Sequence, residues 1–241
     1  MPSEKRRAER ASLHKTPYQI RMKNGLEMKQ VAQLLAEKLL QISAIKLQPE
    51  NPFVWASGWN SPIYTDNRKT LSYPDIRNFI KVEMSRVILE RFSDVQYIAG
   101  VATGAIAVGA LVADTLGLPY IYVRSTPKDH GLENLIEGNL KPGSKVVVIE
   151  DLVSTGGSSL KAVEAIRGAG CEVIGMLSIF NYEFPISSKR FSENNVELIS
   201  LSNYGAMLEA ALATNYIRPE DVETLKEWRK DPATWTPADF R

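Results

Sequence analysis

The amino-acid sequence predicts an α/β fold in which helices flank a parallel central sheet. From about residue 96 to residue 180, strand-like segments alternate with helix-like segments, the order that produces βαβ units. Residues 145–150 form a nearly continuous apolar run, as expected of a strand that is covered on both faces. This order implies one parallel sheet whose crossover connections are right-handed.

The first part of the chain is predicted to hold two helices on either side of an irregular segment. Apolar residues recur every three or four positions between Met28 and Ile42, which indicates a helix with one buried face. Residues 49–73 contain several prolines and Gly58, and we expect them to be irregular. A second helix is predicted to begin at Pro74, because proline suits the first helical turn.

The remaining elements follow from hydrophobic pattern and from glycine positions. We predict strands at residues 96–101, 119–124, 145–150 and 172–180. We predict helices after Gly104 and at residues 158–167, 207–213 and 222–228. The helix after Gly104 is expected to bury a face formed by Ile106, Ala110 and Leu111.

Length and composition favour a single domain over residues 28–241. A chain of 241 residues with 44% hydrophobic residues can bury a sizeable core, and no Pro/Gly/Ser-rich linker divides it. The net charge of +1 gives no reason to expect nucleic acid or an acidic membrane as partner. No apolar run could span a bilayer. The single cysteine, Cys171, excludes an internal disulfide and fits a reducing, cytoplasmic location.

Residues 1–27 form a basic N-terminal extension that we expect to be flexible. They are rich in Lys and Arg but show little apolar periodicity. No apolar stretch follows the basic residues, as a secretory signal would require, and the acids Glu4, Glu9 and Glu27 argue against a transit peptide. The favoured interpretation is a solvated tail, or a true start at Met28.

A segment with the composition of a phosphate-binding loop follows the predicted strand at residues 145–150. Glu150 and Asp151 are followed after two residues by the sequence STGGSS, residues 154–159, and then by a helix. Glycines let the backbone approach a phosphate closely, and a helix N-terminus favours an anion. The two acids suit ribose hydroxyls or a magnesium ion. A ligand with a 5-phosphate and a free 2,3-diol would satisfy the whole segment.

The alternative is that this loop binds no ligand and serves only as a turn and a helix cap. Ser, Thr and Gly are common in turns and helix caps, so residues 154–159 could have only that role. This alternative explains the glycines but not the acid pair behind the buried strand. The sequence has neither the GxxxxGK[ST] loop of nucleoside triphosphatases nor the GxGxxG that follows a strand in dinucleotide-binding folds.

The run VVVIEDLVSTGGSS, residues 146–159, resembles the signature of the type I phosphoribosyltransferases over its whole length. The resemblance implies the fold of that family, with a small hood formed by the N-terminal segment (about 28–73), a core (about 74–203) and C-terminal helices (about 204–241). It also implies a site for phosphoribosyl pyrophosphate (PRPP). The implied PRPP-binding residues in this run are Glu150, Asp151, Leu152, Val153, Ser154, Thr155, Gly156, Gly157 and Ser158.

The segment RSTPKDHG, residues 124–131, is a polar loop after a predicted strand and could close over a pyrophosphate. It is similar to the RKxxKxHG lid of orotate phosphoribosyltransferases, although Ser125 stands where that family has lysine. The resemblance implies that Arg124, Lys128 and His130 contact PRPP. In that family the lid reaches into the neighbouring subunit, so the resemblance also implies a homodimer.

The segment FVWASGWNSPIYTDNR, residues 53–68, is similar to the hood of the same family through its SG–SPIY–D core. Taken singly, its aromatic residues could be ordinary packing residues. The chain departs from the family at Ala56 and Gly104, where many members carry lysine. Tyr182 replaces an arginine that holds the orotate carboxylate in some members. The resemblance therefore assigns orotate to Ser154 and Tyr182, with Arg68 as a possible substitute anion partner.

The reaction that the resemblance implies is the transfer of a phosphoribosyl group from PRPP to orotate, with Mg2+ carried mainly by PRPP. Lys128, His130 and Asp151 are the implied catalytic residues. A transferase for another base is one rival, which the lid and the SG–SPIY segment disfavour. A PRPP-sensing regulator that binds nucleic acid or protein is the other rival, and only the basic extension favours it.

Overall fold

A six-stranded sheet forms the centre of the molecule. The structure is a computed structural model that describes residues 26–55, 57–126 and 135–236. The strands of this sheet are β5 (Tyr97–Val101), β6 (Tyr120–Val123), β7 (Ile136–Glu137), β8 (Lys145–Val153), β9 (Glu172–Asn181) and β10 (Leu198–Asn203). Their order across the sheet is β10-β9-β8-β5-β6-β7, and every neighbouring pair is parallel except β6 and β7.

Helices cover both faces of this sheet. They are α1 (Met28–Gln41), α2 (Pro74–Arg91), α3 (Ile106–Leu116), α4 (Gly157–Gly168), α5 (Pro185–Glu193), α6 (Tyr204–Ala213) and α7 (Asp221–Lys230). Helix α2 begins at Pro74 as predicted, with the proline in its first turn. The predicted α/β class with a parallel central sheet is confirmed, and the antiparallel edge strand β7 adds to it.

The central strand β8 is buried on both of its faces, as its apolar run predicted. Val147 and Ile149 join the core beneath α1, α2 and α3. Val146 and Val148 point to the other side and pack with residues of α4. Successive side chains of a strand point to opposite faces, so a covered strand must be apolar at consecutive positions.

The hood segment is more ordered than the sequence indicated. Within the irregular stretch predicted at residues 49–73, the chain forms β2 (Phe53–Val54), β3 (Asn60–Ser61), β4 (Ile63–Thr65) and a 3-10 helix (Asn67–Ser72). Strand β1 (Ile45–Leu47) pairs with β4, and β2 pairs with β3, both antiparallel. The prediction of irregular structure was wrong because strands of two or three residues are too short to show periodicity.

The buried face of α3 also differs from the prediction. Ile106, Ala110 and Leu111 are only partly buried, whereas the buried residues are Val108, Gly109, Val112 and Ala113. This helix is apolar nearly all round, so its hydrophobic pattern does not single out one face. Of the helices in the described ranges, none is long and apolar enough to cross a membrane.

Candidate active site

The phosphate-type loop joins β8 to α4 at the carboxyl edge of the sheet. Gly156 has φ of 78°, a left-handed conformation that glycine adopts without strain. A Cβ atom at Gly156 would also lie 2.9 Å from the Phe191 ring, so only glycine fits there. Among the described residues no side chain caps the N-terminus of α4, and a helix leaves its first N–H groups without intrahelical partners. The loop therefore presents backbone donors suited to an anion.

The acid pair lies inside β8, because this strand continues three residues beyond the predicted end, to Val153. Glu150 is only 4% exposed. Its carboxylate accepts hydrogen bonds from the Ser159 hydroxyl (2.8 Å) and from the Asp151 backbone N–H (3.0 Å). Burial, and then the charge of Asp151, raise the pKa of Glu150 well above its usual range.

Asp151 is half-buried, and its carboxylate lies against Gly104 of the loop after β5. A Cβ atom at position 104 would overlap that carboxylate. The Asn67 side chain donates to the Asp151 backbone carbonyl at 2.6 Å and so ties the hood to the acid pair. Sequence reasoning missed Asn67, although it belongs to the DNR end of the hood motif.

An acidic cavity of about 340 Å³ opens in front of the acid pair. Its lining includes Glu150, Asp151, Gly104 and Ser158, and Arg68 stands at its edge. The Arg68 Nε lies 2.7 Å from Asp66, and the Arg68 side chain is 61% exposed. This ion pair, together with Asp151, raises the pKa of Arg68 further above its normal value. The cavity therefore combines carboxylates that can accept hydrogen bonds from hydroxyl groups with an exposed cation, Arg68.

A second, aromatic cavity of about 510 Å³ adjoins the first under the hood. Trp55, Trp59 and Tyr64 line it from the hood. Ser154 and Thr155 line it from the phosphate-type loop. Thr65 and Leu152 border both cavities, which are therefore neighbours. A planar ring in the aromatic cavity would lie next to a sugar in the acidic cavity.

Tyr182 forms part of the wall of the aromatic cavity and is only 1% exposed. Its hydroxyl donates to Thr65 Oγ1 at 2.9 Å, and its ring packs on Trp55, Phe184 and Trp228. Burial raises the pKa of Tyr182. The side chain is thus a neutral donor already engaged within the protein.

The base of the predicted lid is an antiparallel pair of short strands, β6 and β7. The Arg124 backbone N–H donates to Leu135 O at 2.8 Å, and the Arg124 guanidinium lies 3.6 Å from Glu137. A cavity of about 640 Å³ is lined by Arg124, Ser125 and Thr103. Lys128 and His130 lie outside the described residues, as does Ala56.

The predicted PRPP residues of the loop come together, with one exception in orientation. Leu152, Ser154, Thr155 and Ser158 border one or both cavities. Val153 instead has its side chain fully buried in the core beneath α4, and its carbonyl accepts from Tyr182 N. Only the Val153 backbone could therefore take part in binding.

The described part of the chain holds no group of three His, Cys, Asp or Glu residues that could bind a metal ion. Two adjacent carboxylates suit a magnesium ion that keeps most of its waters and takes its other ligands from a phosphorylated substrate. The donors present therefore fit a metal that arrives with its substrate.

Comparison with known proteins gives a consistent family. The phosphoribosyl transferase domain family matches residues 80–207. The chain is 67% identical over 208 residues to an orotate phosphoribosyltransferase of Bacteroides thetaiotaomicron, covering 86% of this chain and 98% of that protein. It is 64% identical to that of Porphyromonas gingivalis, over 86% and 99% of the two chains. The crystal structure of orotate phosphoribosyltransferase from Aeropyrum pernix superposes with a TM-score of 0.67 at 27% identity, over 76% and 99%.

Proposed function

Because this chain belongs to the orotate phosphoribosyltransferase family, we propose that it transfers the phosphoribosyl group of PRPP to orotate. The products are orotidine 5-monophosphate and pyrophosphate, in the biosynthesis of pyrimidine nucleotides. The observation that supports this most strongly is the meeting of three features at the end of β8: a phosphate-type loop, an acidic cavity and an aromatic cavity. The phosphate of PRPP would occupy the loop, its ribose the acidic cavity and a flat base the aromatic cavity, so the three features must adjoin.

The loop and the acid pair would hold the two ends of the ribose 5-phosphate unit. Residues 154–158 would bind the 5-phosphate through backbone N–H groups and hydroxyls. Asp151 would accept hydrogen bonds from the ribose diol, since its carboxylate faces the acidic cavity. Glu150 borders the same cavity, and a carboxylate oxygen that accepts one hydrogen bond can accept a second.

The chemical step is a displacement at the anomeric carbon. The orotate nitrogen forms the new bond, the bond to pyrophosphate breaks, and the sugar passes through an oxocarbenium-like state. The nucleophile is the deprotonated N1 of orotate, whose proton passes to solvent before the bond forms, so the displacement itself needs no general base. The protein's task is therefore alignment of the reactants and stabilisation of the departing pyrophosphate.

Arg124, Lys128 and His130 would neutralise the pyrophosphate as the lid closes. The position of Arg124 at the lid base, facing the cavity beside Thr103, supports this role. Mg2+, bound to PRPP, would add positive charge to the leaving group. The other lid residues are assigned by their match to the family pattern alone.

The aromatic cavity would receive orotate. Ser154 lies at the junction of this cavity with the phosphate-type loop, which supports a contact with the base. Tyr182 would act through Thr65 and through its ring, because its hydroxyl is already engaged. No Lys or Arg is among the described residues that line this cavity, so we propose that its neutral donors bind the orotate carboxylate, with Arg68 of the adjoining acidic cavity as the alternative partner.

We further propose a homodimer in which each lid closes over the partner's site, and a cytoplasmic location. The family lid pattern supports the dimer. The multiply charged substrates, which do not cross a bilayer unaided, support the location.

A panel of bases tests the proposed function. With PRPP and Mg2+, we expect orotidine 5-monophosphate from orotate and no nucleotide from uracil, adenine or hypoxanthine. The nucleotides are separated and quantified by chromatography. A nucleotide formed faster from one of the other three bases would refute the assignment of orotate.

A further inference from the structure

We propose that Arg190 of helix α5 is a positioning residue of the 5-phosphate loop. It holds the Thr155–Gly156 peptide in place from the side opposite the phosphate, and it brings a positive charge close to the phosphate. The inference rests on the proposed function only in taking residues 154–158 as the phosphate site. Neither the motif that marks the loop nor the family lid includes Arg190.

The central contact is a hydrogen bond from Arg190 Nη1 to the carbonyl oxygen of Thr155, at 3.0 Å. In a trans peptide the C=O and the following N–H point in opposite directions. A guanidinium that holds the Thr155 carbonyl therefore turns the Gly156 N–H towards the opposite side of the loop. That N–H belongs to the set of donors that a helix N-terminus offers to an anion.

Arg190 is also near enough to act through its charge. Its Nη1 lies 3.9 Å from the place that a Cβ atom of Gly157 would occupy. Gly157 is the first residue of α4, so the guanidinium stands beside the helix end at which the phosphate would bind. The residues of the loop itself, 154–158, include no Lys or Arg. Arg190 thus supplies a cation that the loop lacks.

The rest of this α5 face packs against the preceding glycine, Gly156. Ser187, Arg190 and Phe191 are spaced i, i+3 and i+4, which places them on one side of the helix. Ser187 Oγ lies 3.7 Å from the ideal Cβ position of Gly156, and the Phe191 ring lies closer still. The Ser187 hydroxyl is buried and has no hydrogen-bond partner among the described residues.

The chain offers a matched control for a purely structural role. Arg167, at the C-terminal end of α4, also donates to backbone carbonyls near the end of α5, at Asn194 (2.8 Å) and Asn195 (3.3 Å). Both arginines therefore tie α4 or its loop to α5, but Arg167 does so at the end of α4 remote from the loop. Loss of either tie would loosen the packing, whereas only Arg190 touches the proposed phosphate site.

The experiment measures the binding of ribose 5-phosphate and of pyrophosphate to full-length protein by calorimetry. For Arg190→Gln we expect about tenfold or greater weakening of ribose 5-phosphate, as for loss of a charge-assisted hydrogen bond. Pyrophosphate affinity should stay within about twofold of wild type, because pyrophosphate lies at the other end of the substrate. Arg167→Gln should bind both ligands as wild type does. Arg190→Lys, which keeps the charge, should recover part of the lost affinity.

Three results would overturn the proposal. They are wild-type affinity for ribose 5-phosphate in Arg190→Gln, equal weakening of both ligands in that variant, and the same weakening in Arg167→Gln. If Arg190→Gln does not fold, the affinities of Arg190→Lys are measured instead. Weaker binding of ribose 5-phosphate alone would support the proposal, and unchanged binding would overturn it. Wild-type protein that binds ribose 5-phosphate but makes no nucleotide from orotate would contradict the proposed function and leave this inference standing.

Discussion

Glu150 places a carboxylate in the interior directly beside a second acid. Burial first, and then the charge of Asp151, raise its pKa. A carboxyl group whose pKa is raised in the folded protein keeps its proton to a higher pH in the folded than in the unfolded protein. Rising pH therefore destabilises the fold between the ordinary Glu pKa and the higher folded pKa, and the penalty persists above that range. This penalty is the consequence of keeping an acceptor at the proposed ribose site.

Replacing Glu150 by glutamine should stabilise the ligand-free protein and weaken PRPP binding. Glutamine can still accept from the Asp151 N–H and can donate to Ser159 Oγ, so the local contacts survive without the buried charge. We expect Glu150→Gln to melt at a higher temperature than wild type at pH 8. The difference should vanish below about pH 3, where glutamate is protonated in both states. Identical melting temperatures at pH 8 would show that the buried charge costs nothing.

Gly104 fixes the position of the Asp151 carboxylate. An added methyl group would overlap that carboxylate, so Asp151 would have to turn away from the acidic cavity. We expect Gly104→Ala to weaken PRPP about tenfold by calorimetry, the effect of losing one hydrogen bond to a charged group. Gly168→Ala is the control, because a Cβ atom there meets open space. Equal PRPP affinity in the two variants would mean that Gly104 does not set the orientation of Asp151.

At the scale of elements, strands β6 and β7 form the base of the predicted lid, and residues 127–134 between them lie outside the described residues. Lys128, one of these residues, is assigned to the departing pyrophosphate. We expect Lys128→Ala to lower turnover about a hundredfold, since one preorganised donor to developing charge contributes about 3 kcal/mol. The melting temperature should stay that of wild type. Near-wild-type turnover would remove the lid from the account.

The elements that the sequence predicted well are those with long or unbroken patterns. Strand β8 and helix α2 are examples, because four consecutive apolar residues and a first-turn proline each have one simple physical cause. Helix α5 and strand β10 were not predicted: α5 is short and mostly polar, and β10 mixes serines with its apolar residues. Their absence from the prediction also concealed Arg190, whose contact with Thr155 spans 35 positions of the chain.

The candidate site was predictable where its residues are adjacent in sequence. The acid pair and the phosphate-type loop form one continuous segment, and the structure brings them to the expected edge of the sheet. Contacts between distant segments could not be predicted from the sequence. The bond from Asn67 to Asp151 and the packing of Gly104 on Asp151 depend on how the hood and the first sheet loop meet.

At the scale of the whole molecule, the proposed dimer places residues of two subunits in one site. If each lid serves the partner, Lys128→Ala and Asp151→Asn should each be nearly inactive alone. Mixed dimers should regain activity, because one of their two sites then combines an intact lid with an intact acid. Subunit exchange with differently tagged variants, followed by isolation of the mixed dimer, measures this. A mixed dimer without recovered activity would mean that the lid closes over its own subunit.

The fold, the adjoining cavities and the family membership converge on one reaction. The most direct test is the orotate-dependent release of pyrophosphate from PRPP, measured with and without Mg2+ in the wild-type protein and in Asp151→Asn. We expect release that requires orotate, rises with Mg2+ and falls sharply in the variant. Release that is unaffected by omitting orotate, or that is unchanged in Asp151→Asn, would contradict the account.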